Sequence, residues 1–171
     1  GKDLIVQART GSGKTGAFGI PIIEAIDREL AETQALVMLP TRELANQVAQ
    51  ELTALGKHRG VRVLPVYGGV GYGPQLEGLE AGAHVIVGTP GRVMDHIKRG
   101  TLDLTGLAAL VLDEADEMLR MGFVEDVEWI LDRTPPGRQF ALFSATMPTG
   151  VRKIVEEHLT DAVEVRVETR Q

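Results

Sequence analysis

A chain of 171 residues, 43% hydrophobic and 25% charged, with no cysteine, has the size and composition of one folded globular domain and excludes a disordered tail, a disulfide scaffold, thiol catalysis and cysteine-ligated zinc. Its 24 acidic and 18 basic side chains leave a net charge of −6, which counts against the basic footprint of a nucleic-acid binder. No apolar run nears the roughly 20 residues of a bilayer span, and Gly1-Lys2-Asp3-Leu4 opens no secretion signal, so the reading is a cytoplasmic protein without a membrane partner.

In chain order, Leu4-Ile5-Val6 is a short apolar run that predicts a buried strand, and Phe18, Ile22, Ile26 and Leu30 follow at steps of four, which predicts an amphipathic helix. Ala35 to Leu39 predicts a second strand, and Leu44, Val48, Leu52 and Leu55 a second helical stripe. Val61 to Val66, Val85-Ile86-Val87, Leu110-Val111-Leu112 and Phe140 to Phe143 are further strand candidates. Val151, Ile154, Val155 and Leu159 mark a helix, and Val163 to Val167 alternates as an edge strand does. Continuous apolar runs suit a parallel sheet covered on both faces. The predicted fold class is therefore α/β and doubly wound, a mostly parallel sheet with helices on both faces, and the functional residues should follow strands. No internal repeat, low-complexity segment or linker interrupts the chain.

The acid is concentrated. Asp113, Glu114, Asp116, Glu117, Glu125, Asp126 and Glu128 face Arg120 alone within one short segment, which supplies the whole imbalance. Asp113-Glu114-Ala115-Asp116 directly follows a strand candidate, and acids there also suit a helix amino end. Ala8-Arg9-Thr10-Gly11-Ser12-Gly13-Lys14-Thr15 follows the first strand and opens a helix, nearly the phosphate loop G-x-x-x-x-G-K-[ST] with Ala8 at the first glycine. Gly11 and Gly13 let successive N–H groups curl round an anion at the helix amino end. Lys14 can reach the β- and γ-phosphates, and the Thr15 hydroxyl can ligate Mg²⁺. An Asp at a strand tip, Asp113, then holds the same Mg²⁺, largely through water, and Glu114 orients or deprotonates an attacking water. Together the two motifs imply Mg²⁺-dependent nucleoside triphosphate hydrolysis.

With Ala8 to Thr15, Pro40-Thr41-Arg42-Glu43-Leu44-Ala45-Asn46-Gln47, Tyr67-Gly68-Gly69, Thr89-Pro90-Gly91-Arg92, Asp113 to Asp116 and Ser144-Ala145-Thr146 in this order, the chain resembles the DEAD-box RNA helicases over essentially its whole length. It resembles the first of their two RecA-like domains. Asp113 to Phe123, with His96 to Leu104 before it, is similar to the bacterial cold-shock branch. The resemblance implies an RNA-dependent ATPase that locally unwinds or remodels duplexes by clamping one strand between two domains. It implies RNA contacts from Pro40, Thr41, Arg42, Gly68, Gly69, Thr89, Pro90, Gly91 and Arg92, and coupling of nucleotide state to RNA through Asp116, Ser144 and Thr146. It also implies that the strand before Ser144 lies between the phosphate-loop strand and the Asp113 strand. A second RecA-like domain carrying transition-state arginines, and an adenine-recognition motif upstream of Gly1, are expected outside the chain, which by itself should be nearly inactive. The absence of an initial Met fits a trimmed domain.

Local chemistry agrees, since these segments offer hydroxyls, backbone N–H groups and Arg to phosphates. Taken singly, Thr41 is equally a helix cap and Pro90 a first-turn residue. A nucleotide-dependent RNA clamp without unwinding, and a DNA-unwinding enzyme of the same superfamily, answer the same motifs. His58, His84, His96 and His158 lack metal spacing and read as surface or interface residues. Met118 and Met121 read as packing residues, Trp129 as a partly buried helix-face aromatic, and Lys57 to Arg62 as a solvated basic face. Oligomeric state is left open.

Overall fold

Unbroken runs of Val, Ile and Leu offer no polar face to water, so they are stable as strands only where both sides of a sheet are covered. The computed structural model describes residues 2–9 and 14–167. Seven strands form its centre: β1 (Leu4–Gln7), β2 (Ala35–Met38), β3 (Val63–Val66), β4 (Val85–Gly88), β5 (Ala109–Leu112), β6 (Gln139–Ser144) and β7 (Val163–Arg166). They pair in the order β3-β4-β2-β5-β6-β1-β7, every pair parallel. As expected, β6 lies between β1 and β5, and β7 is an edge whose residues are all exposed. Pro65 sits on the other edge strand, where a missing donor is tolerated.

Parallel neighbours need crossovers, and seven helices supply or flank them: α1 (Lys14–Ala25), α2 (Arg42–Gly56), α3 (Gly73–Glu80), α4 (Pro90–Arg99), α5 (Ala115–Arg120), α6 (Val124–Leu131) and α7 (Thr149–His158). Alternate strand residues enter opposite layers. Val6, Val37, Val87 and Val111 pack under Phe18 and Ile22 of α1 and Val48 and Leu52 of α2. Leu36, Ile86, Leu110 and Phe140 pack against Val93, Met118, Ile130 and Ile154 on the other side. Truncating a fully buried residue such as Phe140 or Leu36 to Ala costs about 2–5 kcal/mol. At Gly19, a Cβ would lie 2.7 Å from the Leu52 side chain, so glycine sets the close approach of α1 to α2.

Several expectations need correction. The apolar stripe of α1 continues in sequence to Leu30, yet the helix stops at Ala25. There the Gln34 amide takes over: its Oε1 accepts from the Asp27 N–H and its Nε2 donates to the Asp27 and Leu30 carbonyls, closing a turn that leaves Leu30 exposed. β3 begins at Val63 because Val61 N–H turns back to the Gly56 carbonyl. His84 and His96 are fully buried, and Met121 is exposed, whereas Met118 packs in the core. Trp129 is half-buried on α6 beneath Arg133, as its position predicts. No helix among the described residues is long and apolar enough to cross a membrane.

Candidate functional site

All six motif segments emerge at the carboxyl ends of strands, after β1, β2, β3, β4, β5 and β6, and so share one edge of the parallel sheet. That edge is where open α/β sheets place their ligands. Of the phosphate loop, Thr10, Gly11, Ser12 and Gly13 lie outside the described residues. Ala8 is buried and extends the ladder by donating its N–H to the Ser144 carbonyl at 3.1 Å, and Arg9 is exposed.

Lys14 opens α1 and turns toward β5. Its Nζ donates to Asp113 Oδ1 at 3.1 Å, with the two side chains only 10% and 6% exposed. The same Asp113 oxygen accepts the Glu114 N–H at 2.9 Å. Glu114 then adopts a left-handed backbone, φ 55° and ψ 49°, and forms the amino cap position of α5. Such a conformation is costly for a side chain with a Cβ and clusters at functional sites. Lys14, Thr15, Gln47, Glu51, Asp113 and Glu114 border one cavity of about 300 Å³, whose other walls include Leu39, Leu44 and Val48. A second cavity of about 320 Å³ shares Lys14 but is walled by Val6, Phe18, Ala141, Phe143 and Val165, chemistry unsuited to a polyphosphate.

Beside Lys14 the cavity offers the Asp113 carboxylate and the Thr15 hydroxyl, both hard oxygen ligands. Among the described residues no three His, Asp or Glu side chains gather as a metal cage. This pattern fits Mg²⁺, which keeps water and substrate phosphates as most of its ligands.

Asp116, Ser144 and Thr146 come together as one network between α5 and the end of β6. Asp116 Oδ2 accepts the Thr146 hydroxyl at 2.8 Å and its N–H at 3.1 Å, and Asp116 N–H donates to Ser144 Oγ at 3.1 Å. Ser144 Oγ in turn donates to the Thr146 carbonyl at 2.6 Å. Burial pushes the Asp116 carboxyl up, but the Thr146, Ser144 and Glu117 donors outweigh it and hold the group below its ordinary pKa. Ser144 is the last strand residue rather than part of the following turn.

Pro40 is buried behind the end of β2, and Thr41 caps α2 by accepting the Leu44 N–H at 3.2 Å. Arg42 is exposed, its guanidinium 5.6 Å from the Tyr67 ring centroid. Gly69 has φ 79°, which only glycine adopts without strain. Gly68 and Gly91 are different: neither has a left-handed φ, and a Cβ at either would meet nothing within 4 Å. Neither backbone geometry nor internal packing demands glycine there, and both face outward. Thr89 caps α4 without a side-chain bond, and Pro90 is its first residue. Arg92 is held inward by two side-chain hydrogen bonds, to Gln75 Oε1 at 3.1 Å and the Val70 carbonyl at 2.9 Å. Sequence reasoning missed Gln75, Tyr72 and His96 as its partners. The one available signal was that His96 lies four residues after Arg92 and so on the same helix face.

The family description DEAD/DEAH box helicase matches residues 1–154. The ATP-dependent RNA helicase DeaD of Escherichia coli (strain K12) is 55% identical over 170 residues, covering 99% of this chain and 27% of that protein. The DEAD-box ATP-dependent RNA helicase CshA of Bacillus anthracis is 50% identical over 171 residues, covering all of this chain and 32% of that protein. Among solved structures, a DEAD box protein of the hyperthermophile Methanococcus jannaschii superposes with a TM-score of 0.94 at 42% identity, over 98% of this chain and 46% of its own. The chain thus spans about a quarter to a third of the length of these curated relatives.

Proposed function

Because this chain belongs to the DEAD/DEAH box helicase family, we propose that it is the ATP-binding, RecA-like half of an ATP-dependent RNA helicase, which hydrolyses ATP and locally unwinds or remodels RNA duplexes when paired with a second RecA-like domain. The observation that carries the reading is the Lys14–Asp113 pair, 3.1 Å apart on a shared cavity that also contains Thr15 and Glu114. It joins the cation a triphosphate needs to the carboxylate its Mg²⁺ needs.

On this reading the pair opens as nucleotide enters. Lys14 transfers its charge from Asp113 to the β- and γ-phosphate oxygens, where the low-dielectric cavity strengthens the attraction. Asp113 and the Thr15 hydroxyl would hold Mg²⁺, which when bound neutralises developing charge on the phosphates. Glu114, set at the head of α5 by its left-handed backbone, orients the attacking water and accepts its proton. The second domain is expected to supply arginines, a contribution worth about 10³- to 10⁵-fold in rate among nucleotide hydrolases. Thr41, Arg42, Gly68, Gly69, Thr89, Gly91 and Arg92, with Pro40 and Pro90 fixing the chain beside them, form this domain's share of the RNA track. Asp116, Ser144 and Thr146 link the end of β6 to the acidic motif that meets the nucleotide.

The test uses two variants of the intact protein. Lys14→Ala should abolish measurable nucleotide binding. Glu114→Gln should leave binding near wild type and lower turnover by about 10²-fold or more, the usual worth of a positioned general base. Unchanged nucleotide affinity in Lys14→Ala overturns the assignment of the site.

A further inference from the structure

Gln75 belongs to none of the motifs, yet its side chain is the hub of a buried polar network beneath the candidate RNA track. The residue is 4% exposed. Its Nε2 donates to the Tyr67 carbonyl at 2.9 Å, while its Oε1 accepts from Arg92 Nη1 at 3.1 Å and lies 2.8 Å from His96 Nε2. His96 is fully buried, with Nδ1 2.8 Å from Thr101 Oγ1. Burial, then the Arg92 charge, hold His96 below its ordinary pKa, Arg99 adding to the effect and Asp95 opposing it. Arg92 Nη1 aims a donor at the amide oxygen of Gln75, which fixes its orientation, and His96 Nε2 approaches the same oxygen. The Thr101 hydroxyl, beside Nδ1, donates to the His96 carbonyl at 3.0 Å.

The loop this network holds is unusually free in the unfolded chain. Between β3 and α3 run Tyr67-Gly68-Gly69-Val70-Gly71-Tyr72, half of them glycine, and glycine loses the most backbone freedom on ordering. Side-chain hydrogen bonds restrain it at three points. Gln75 binds the Tyr67 carbonyl, Arg92 binds the Val70 carbonyl, and Tyr72 donates its hydroxyl to Asp95. The Arg92 and Arg99 guanidinium carbons lie 3.9 and 4.0 Å from the centroid of the Tyr72 ring. Gln75 hydrogen-bonds to both the loop and Arg92.

We propose that Gln75, braced by His96, is a positioning residue that locks the glycine loop to the head of α4, so that Gly68, Gly69, Gly91 and Arg92 meet a sugar-phosphate backbone as one pre-formed surface. The inference rests on the RNA-binding reading above. Its energetic content is preorganisation: a loop already ordered in the free protein does not lose that freedom on binding.

In the intact protein, Gln75→Met keeps the volume and removes both polar arms. Titration of ATPase activity with single-stranded RNA should show the half-saturating RNA concentration rising about tenfold, the equivalent of about 1.4 kcal/mol, with kcat at saturating RNA and nucleotide affinity at wild-type values. Should Gln75→Met not fold, Gln75→Glu carries the test, because it retains an acceptor for Arg92 and His96 while setting a carboxylate oxygen, in place of the amide N–H, against the Tyr67 carbonyl. It should show a rise in the same direction. A folded variant whose urea midpoint falls while its RNA titration matches wild type overturns the proposal, leaving Gln75 a packing residue only. A wild-type protein that neither binds RNA nor responds to it overturns the RNA reading itself, and the positioning role with it.

Discussion

Gly91 allows the proposed RNA track to be tested without damaging the fold. It is the second residue of α4, has no left-handed φ, and has nothing within 4 Å of where a Cβ would stand. Its N–H is among the first four of the helix and has no intrahelical acceptor, so it faces whatever approaches that end. Gly91→Ala should therefore stabilise the protein by about 0.5 kcal/mol, since alanine is favoured over glycine in a helix and restricts the unfolded chain. The same methyl would hold a phosphate off the exposed N–H groups. Loss of one hydrogen bond to a charged group is worth about 1.5–3 kcal/mol, or about ten- to hundredfold in affinity. Urea unfolding and fluorescence anisotropy of a labelled single-stranded RNA, measured on the intact protein with a non-hydrolysable ATP analogue, read the two effects separately. A rise in stability with unchanged RNA affinity would refute the reasoning, because glycine would then have no ligand to admit.

Thr146→Val removes the 2.8 Å hydroxyl bond to Asp116 while leaving the backbone bond between the same residues. Expected are a stability loss of about 1–2 kcal/mol, nucleotide affinity near wild type and a weakened response of ATP turnover to RNA; a normal RNA response in a folded variant rules out the coupling role. Stability should also fall on mild acidification. His84 and His96 are both held below the ordinary histidine value of 6.5, each chiefly by burial and then by a neighbouring Arg, Arg62 and Arg92 respectively. A depressed folded pKa means that the unfolded chain takes up protons first, so the contribution is present above about pH 6.5 and is lost as pH falls through the lowered values. The urea midpoint should be flat just above pH 7 and decline below about 6.5, and a midpoint unmoved between about 7 and 5 would contradict the burial of both rings.

The strands were legible in sequence because burial on both faces demands apolar residues at every position, as at Leu36, Val37 and Met38. Helices whose buried positions are not apolar escaped the same test. α4 buries Pro90, Val93 and His96, a pattern no hydropathy stripe contains. α1 was overextended for the converse reason: Ile26 and Leu30 continue the step of four, but side-chain bonds from Gln34 end the helix first. The candidate site was legible because its residues stand at strand ends, where order along the chain already places them on one edge. Gln75 was not, since a buried amide in a polar stretch looks like any surface glutamine until Tyr67, Arg92 and His96 converge on it from distant parts of the chain.

The Lys14–Asp113 pair also bears on which anions the site should ignore. Because the ammonium already has its counter-ion 3.1 Å away, the cavity presents little uncompensated positive charge from this lysine. Inorganic phosphate or a metal-free nucleotide would have to displace a carboxylate and leave it unpaired in a poorly hydrated wall, a costly exchange. On the proposed assignment, a nucleotide arriving with its divalent cation would replace both halves of the pair at once, giving Lys14 an anion and Asp113 a cation. The ion pair would then act as a filter for the intact complex, and the affinity for nucleotide should depend steeply on free Mg²⁺.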